Sequence, residues 1–480
     1  MVGSLCCECH LSSHFCWPGC GNSSKDGGGE SSRQCSWRTA GMNLHSLRRL
    51  LGNVDYYLLG SVFLLCIIGI AAIYSSGVDA DGLLVSREFL KQLIWFAIGI
   101  PLLVIAALFD FSRFKDTSWI FFVAAVVLLV ITRLAGRVVN GARSWIGIGS
   151  LGIQPAEFAK IATVLMIARY LDSAEYDSSF KKLVTTGLIA GIPVLLILVQ
   201  PDFGSSLVFF PAALVMLTLA QVDVRYILFG VLGVLGIFFF LSIPLYAMNI
   251  GTPESVLRVI ISRSDILFVI FIVVMVIAII AALGWQKFKK AYYYWISYIF
   301  AVIDFSFAGA YISQKVLKPY QIARLLVFIN PAIDPKGSGW NILQSITAIG
   351  SGGLLGKGFL RGTHSHARFI PQQSTDFIFS IIAEEFGLLG CLVLFGLYLI
   401  IFLRCIALIE TSKDRYSQYV AGGILGIFAF HFMINIGMAM GIMPVTGIPL
   451  YFISYGGSAL WAGLISAGIL MGISARRYSA

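Results

Sequence analysis

Hydrophobic residues in this chain fall in long runs rather than in alternation or single amphipathic stripes, and the runs recur from position 56 almost to the end. A helix that crosses hydrocarbon needs about 20 apolar residues, because each backbone N–H and C=O must be paired within the segment. That criterion predicts twelve helices, near 56–75, 89–109, 118–132, 157–171, 183–199, 203–220, 225–247, 266–284, 291–312, 379–403, 419–440 and 458–473. Glu157 and Asp202 sit at the mouths of their helices. The fold class expected is all-α, a polytopic membrane protein with one membrane domain.

Composition agrees: 58% of the 480 residues are hydrophobic and only 12% charged, against roughly 25% charged in a soluble domain. The net charge of +10 does not point to nucleic acid, because the basic residues lie between apolar runs rather than along one stripe. Residues 1–41 stand apart. They hold Cys6, Cys7, Cys9, Cys16, Cys20 and Cys35 but no apolar run, and their spacing is tighter than zinc ribbons use. They are read as a disordered cytoplasmic extension, or as lying ahead of a start at Met42, with the membrane domain over 42–480.

Lys and Arg in the connections set orientation. With the N-terminus inside, the inner face collects Arg48, Arg49, Arg113, Lys115, Lys181, Lys182, Arg225 and the KFKK turn at 287–290, and the C-terminus returns inside. The same topology leaves Arg133, Arg137, Arg143, Lys318, Arg324, Lys357 and Arg361 outside. Basic residues there run against the orientation rule, and a phosphorylated lipid at the outer surface would give them a purpose.

The largest polar interruption is Gln344–Glu385, a glycine-rich basic loop that leads back into an apolar run through Asp376. A carboxylate at that depth is a functional candidate by default, and a low-polarity setting would raise its pKa toward that of a useful general base. Helix capping by Thr375 or Asp376 is the structural alternative. Gln154-Pro155 reads as a helix start, with Glu157 and Lys160 three apart on one face and able to pair. Gln200-Pro201-Asp202 reads the same way, with Asp202 at a helix N-terminus. His364 and His366 lack a fixed third ligand for zinc. Gly356-Lys357-Gly358 does not complete a Walker loop, so no nucleotide is indicated. The proline- and glycine-broken stretch 443–458 reads as a cavity wall, since open backbone at membrane depth needs protein or water to satisfy it.

QPAEFAK at 154–160, QPDFGSS at 200–206, KPYQIAR at 318–324, NPAIDPKGSGWNILQS at 330–345, AIGSGGLLGKG at 348–358, TDFIFSIIAEEFG at 375–387 and GIMPVTGIPLYFISYGGSAL at 441–460 resemble the SEDS family (shape, elongation, division and sporulation). GKG and KPYQ favour its rod-shape-determining, RodA-type branch. The resemblance implies a peptidoglycan glycosyltransferase of the bacterial inner membrane, with both termini cytoplasmic and the active loop outside. It would polymerise lipid II by inverting hexosyl transfer from an undecaprenyl-pyrophosphate-linked glycan, beside a class B penicillin-binding protein and the elongation machinery. Asp376 matches the family's essential aspartate and would deprotonate the acceptor or hold a divalent cation, magnesium or manganese. Glu157, Lys160 and Asp202 match its cavity residues, and Arg143, Lys318, Arg324 and Lys357 are the candidates for the departing pyrophosphate. The family has ten spans, so 266–312 reads as an inserted hairpin of two. It usually has glutamine at the positions of His364 and His366 and glutamate at that of Gln372. A lipid II flippase and a non-catalytic scaffold for the penicillin-binding protein are the competing readings.

Overall fold

The computed structural model describes residues 55–476 except 80, 110, 140–141, 149–150, 250–263, 317–323, 325–326, 329, 331–337, 368 and 370–371. The expectations placed on residues 1–41 and on Lys318 lie outside the described residues.

In chain order the elements are α1 (Tyr56–Ser76), α2 (Glu88–Leu108), α3 (Phe111–Ala135), β1 (Arg137–Val139), β2 (Ala142–Ile148), β3 (Leu151–Ile153), α4 (Pro155–Ser173), α5 (Ser179–Val199), α6 (Phe203–Leu207), α7 (Phe209–Leu219), α8 (Val224–Asn249), α9 (Ser264–Phe288), α10 (Ala291–Val316), α11 (Ser338–Gly352), α12 (Thr363–His366), α13 (Ile378–Thr411), α14 (Arg415–Ala439) and α15 (Gly457–Arg476). All twelve predicted runs are helical. Ten helices among the described residues are long and apolar enough to cross a membrane, and the chain is a multi-pass membrane protein. The other two runs are helices that fall outside that count. The α4 helix carries four charges, Glu157, Lys160, Arg169 and Asp172, and is largely buried against its neighbours. The run 203–220 is split into α6 and α7 at Val208.

Burial grades the helices from centre to rim. In its most apolar stretch α15 is 89% buried and α9 only 6%, so α15 is a core helix and the α9–α10 hairpin is peripheral, leaning on α8. Close approach at the centre depends on small residues: a Cβ on Gly468 of α15 would lie 2.3 Å from the Leu103 carbonyl of α2. Gly387 breaks α13 with φ +63°, and a side chain there would meet the Gly356 amide at 2.3 Å. The break lets residues 353–358 lie along the first turns of α13, where the Lys357 and Gly358 amides donate to the Glu384 and Glu385 carbonyls at 3.0 and 2.9 Å.

Between α3 and α4, where the hydropathy pattern marks only a connection, the chain forms a small antiparallel sheet in the order β1-β2-β3, with Val138 opposite Arg143 and Ile146 opposite Ile153.

Candidate active site

Asp376 closes a turn that starts at Gln372, whose carbonyl accepts from the Asp376 amide at 3.1 Å. Neither Thr375 nor Asp376 caps α13; its N-cap position is Phe377, without a side-chain bond, and the Asp376 carboxylate is left on a cavity wall. Its main chain is held from two sides. The Ser374 carbonyl accepts from the Tyr455 amide at 2.9 Å, and Asn435 Nδ2 donates to the Asp376 carbonyl at 3.1 Å and to the Ile448 carbonyl at 2.8 Å. One amide side chain on α14 thus ties the aspartate to the broken stretch 440–456.

Opposite lies Gly447, with φ +72°. A Cβ on it would stand 3.6 Å from Asp376 Oδ2 and 3.9 Å from Arg324 Nη1, so both groups lie beside this glycine, whose backbone conformation other residues rarely adopt. Burial pushes the Asp376 carboxyl above the ordinary aspartate range, while the Thr375 hydroxyl and the Arg324 charge pull it back.

The cavity measures about 530 Å³ and brings Asp376, Arg324, Asp202, Gln154, Arg137 and Glu88 to one space. One side is aromatic: Trp95, Trp145 and Tyr455 line it, the Trp95 and Tyr455 rings 5.1 Å apart. The small sheet supplies Arg137, Ser144 and Trp145 to the wall. Asp202 is held in place, its Oδ1 capping α6 through the Ser205 amide at 3.1 Å and its Oδ2 accepting from Gln154 Nε2 at 2.8 Å and Ser205 Oγ at 2.9 Å. Gln154 in turn is the N-cap of α4. The two glutamine–proline helix starts therefore meet in one wall.

Glu157 and Lys160 are elsewhere. Both are buried and do not line the cavity. Lys160 Nζ donates to Glu157 Oε1 at 2.7 Å and to His431 Nε2 at 3.1 Å; Tyr451 Oη donates to Glu157 Oε2 at 2.6 Å; His431 Nδ1 donates to the Pro449 carbonyl at 2.8 Å. The His431 and Tyr451 rings stack at 3.9 Å. This network holds the underside of the stretch 449–451 whose neighbours Thr446, Gly447 and Pro449 face the cavity. The pair is paired and hydrogen-bonded, as a buried charge must be.

Lys357 also lies away from the cavity. Its Nζ donates to Glu384 Oε1 at 3.0 Å and to Thr363 Oγ1 at 2.6 Å. Glu384 further accepts from the amides of Thr363, His364 and Ser365 at 2.7, 2.8 and 3.0 Å. Glu385 accepts from Ser75 Oγ and from the Leu360 amide. His366 Nδ1 donates to the Val78 carbonyl at 2.9 Å, and its Nε2 stands 3.3 Å from Glu385. Both histidines thus belong to a clamp on the loop, and no group of three His, Cys, Asp or Glu side chains among the described residues is placed to hold a metal. Arg143 sits on β2, where its amide donates to the Gln200 carbonyl at 3.2 Å; it is not part of the cavity lining.

Of the residues singled out from sequence, Asp376, Asp202 and Arg324 share the cavity, whereas Glu157, Lys160, Arg143 and Lys357 support its surroundings. His431, Asn435, Glu88 and Trp95 were not singled out, whereas Tyr455 lies in the stretch 443–458 read as a cavity wall. His431 and Asn435 did carry a signal, two polar residues four apart inside an apolar run.

The sequence profile of the FtsW, RodA and SpoVE family, described as cell cycle protein, matches residues 56–252 and 254–479. The chain is 45% identical over 430 residues to the peptidoglycan glycosyltransferase RodA of Treponema pallidum, covering 89% of this chain and 99% of that protein. It is 31% identical over 381 residues to the peptidoglycan glycosyltransferase MrdB of Escherichia coli K12, covering 79% and 84%. Among solved structures, a chain of a peptidoglycan synthase complex that coordinates polymerisation and crosslinking aligns with a TM-score of 0.60 at 23% identity, over 89% of this chain and 99% of that one. The rod shape determining protein RodA of Thermus thermophilus aligns with a TM-score of 0.56 at 22% identity, over 89% and 98%.

Proposed function

The chain belongs to the FtsW, RodA and SpoVE family, and we infer from that membership and from its cavity that it is a peptidoglycan glycosyltransferase, polymerising lipid II into glycan strands during elongation and shape maintenance. The observation that carries the mechanism is Asp376, positioned through its main chain on a cavity lining that it shares with Arg324, both beside Gly447. The Asp376 carboxylate takes the proton of the acceptor sugar 4-hydroxyl. The freed oxygen forms a bond to the anomeric carbon of the donor, from the face opposite the leaving group. The bond from that carbon to the pyrophosphate oxygen breaks, and undecaprenyl pyrophosphate departs with the electron pair. Arg324 and Arg137, both on the cavity wall, meet the charge that develops on it.

A magnesium or manganese ion fits the carboxylate chemistry of the wall, since such ions are commonly held by one or two carboxylates with substrate phosphates. Asp376, with Asp202 lining the same cavity, would hold it, and it would supply charge neutralisation at the pyrophosphate. The cavity opens on the outer face of the inner membrane in this reading, with both termini cytoplasmic. The Lys and Arg gathered in the connections assigned to the inner face, the KFKK turn at 287–290 among them, support that orientation. A class B penicillin-binding protein is the partner we propose, supported by the fold shared with a chain of a synthase complex. The α9–α10 hairpin is read as an insertion on a ten-span core.

The test is polymerisation of labelled lipid II by the purified protein, alone and with its transpeptidase. Asp376→Asn is expected to lose about 10²- to 10⁴-fold in rate while the protein still folds. Undiminished polymer from a well-folded Asp376→Asn protein defeats the mechanism, and movement of lipid II across liposomes without polymer defeats the enzyme reading.

A further inference from the structure

Halfway along α10 stands Asp304, an acid inside a helix long and apolar enough to cross the membrane. Its Oδ1 is shielded from the surface yet has no hydrogen-bond partner among the described residues. Carboxylates at that depth are costly and normally paired.

The packed sides of α10 are accounted for. Toward α8, Ser306 Oγ donates to the Gly233 carbonyl at 3.2 Å and Tyr298 Oη to the Arg225 carbonyl at 2.7 Å. Toward α9, Phe307 stacks on Phe271 with centroids 6.0 Å apart. At about 100° per residue, Asp304 falls on the remaining side together with Ser297, Ala301 and Ala308. Their 4-3-4 spacing is that of a helix–helix seam, and three small residues on it let a second backbone come close. Tyr311 and Ile312 flank it, both exposed, while Phe305 leans back toward α8, its ring 5.5 Å from that of Phe229.

We propose that this seam docks a membrane-crossing helix of another protein, one that carries a Lys or Arg near mid-depth to pair with Asp304. Charge complementarity selects that occupant. A second copy of this chain would set Asp304 against Asp304, and α10 carries no cation nearer than Lys315 in its last turn. The proposal does not depend on the glycosyl-transfer chemistry, because the seam lies on the peripheral hairpin, away from the cavity.

The experiment uses the full chain with a fluorophore at its C-terminus, reconstituted in liposomes with donor-labelled polyleucine helices that carry either one central lysine or leucine there. Energy transfer is read as peptide is titrated. The lysine helix is expected to bind about tenfold more tightly than the leucine helix. Asp304→Leu erases that preference and Ala301→Phe weakens binding of the lysine helix, with melting temperatures of both variants near that of the parent. The proposal is overturned if the parent protein shows no preference, if the preference survives Asp304→Leu, or if Asp304 instead drives self-association without peptide.

Discussion

Asn435 Nδ2 lies 3.1 Å from the Asp376 carbonyl oxygen and 2.8 Å from that of Ile448, so one side chain in α14 fixes the distance between the carboxylate-bearing turn and the opposite cavity wall. A base must sit within hydrogen-bond reach of the proton it removes, and a displacement of about 1 Å costs on the order of 10²-fold. Asn435→Ala is therefore expected to lower kcat by about ten- to a hundredfold with a smaller change in KM, measured by steady-state lipid II polymerisation. A loss confined to KM would show that Asn435 serves binding alone.

The pH dependence has a defined sign. Burial raises the Asp376 carboxyl, so the acid limb of kcat/KM is expected at a pH above the ordinary aspartate range, with activity lost as pH falls through it. Arg324 pulls the same carboxyl down, so Arg324→Gln should move that limb to still higher pH. The linked stability has the opposite dependence. A carboxyl raised on folding contributes fully below its unfolded pKa, and that contribution is lost as pH rises through the folded value. Asp376→Asn should accordingly melt higher than the parent at neutral pH and alike at acid pH. Equal melting curves at both would refute a raised Asp376.

Much of this arrangement was legible in the chain, and the limits have physical causes. The spans were legible because lipid demands some 20 apolar residues of every crossing. The α4 and α6–α7 runs were legible as helices too, although four charges on α4 and the break at Val208 keep both from the length and hydropathy that mark the other ten. Strands β1 to β3 left no mark, since they are short and lie in a segment rich in glycine and arginine. Asp376 and Asp202 announced themselves as charges at the ends of apolar runs and Arg324 as a basic residue of an outer connection, and the three meet in one cavity. Asp304 did not, because a long apolar run absorbs one polar residue without losing its pattern, and His431 and Asn435 showed only as a pair four apart within such a run. The role of Glu157 and Lys160 beneath the cavity depended on Tyr451 and His431, nearly 300 residues away in sequence, which spacing cannot supply.

That buried network makes a double-mutant test decisive. Lys160→Met leaves Glu157 buried with only the Tyr451 hydroxyl, and losing one partner of a buried pair costs about 3–5 kcal/mol. Glu157→Gln combined with Lys160→Met removes both charges and should recover a good part of that loss. Melting of the two single variants and the double variant checks it. Strict additivity of the single losses would show that the pair is not coupled.

Glu384 collects the amides of Thr363, His364 and Ser365 together with Lys357, so it holds the loop rather than acting on substrate. Glu384→Ala should free residues 356–366, seen as faster hydrogen exchange and earlier protease cleavage there, with α1 and α15 unaffected. Unchanged exchange would place the restraint in the Lys357 and Gly358 backbone bonds instead.

Sidedness is the remaining test, and burial dictates where to place its reporters. Ser365 is fully buried and would stay unlabelled in either orientation, whereas Arg361 is exposed on the same loop. At the other end, Lys289 lies in the exposed turn between α9 and α10, its Nζ 5.2 Å from the Trp285 ring centroid. If that basic turn is cytoplasmic and the loop before α13 faces outward, single cysteines in a background without other accessible thiols should divide. A membrane-impermeant reagent on intact spheroplasts should label Arg361→Cys and spare Lys289→Cys, and lysis should expose the second. Labelling of Lys289→Cys from outside would reverse the sidedness of the hairpin. Protection of Arg361→Cys would take the cavity away from the outer face, and with it the assignment of Arg324 and Arg137 to a lipid pyrophosphate there.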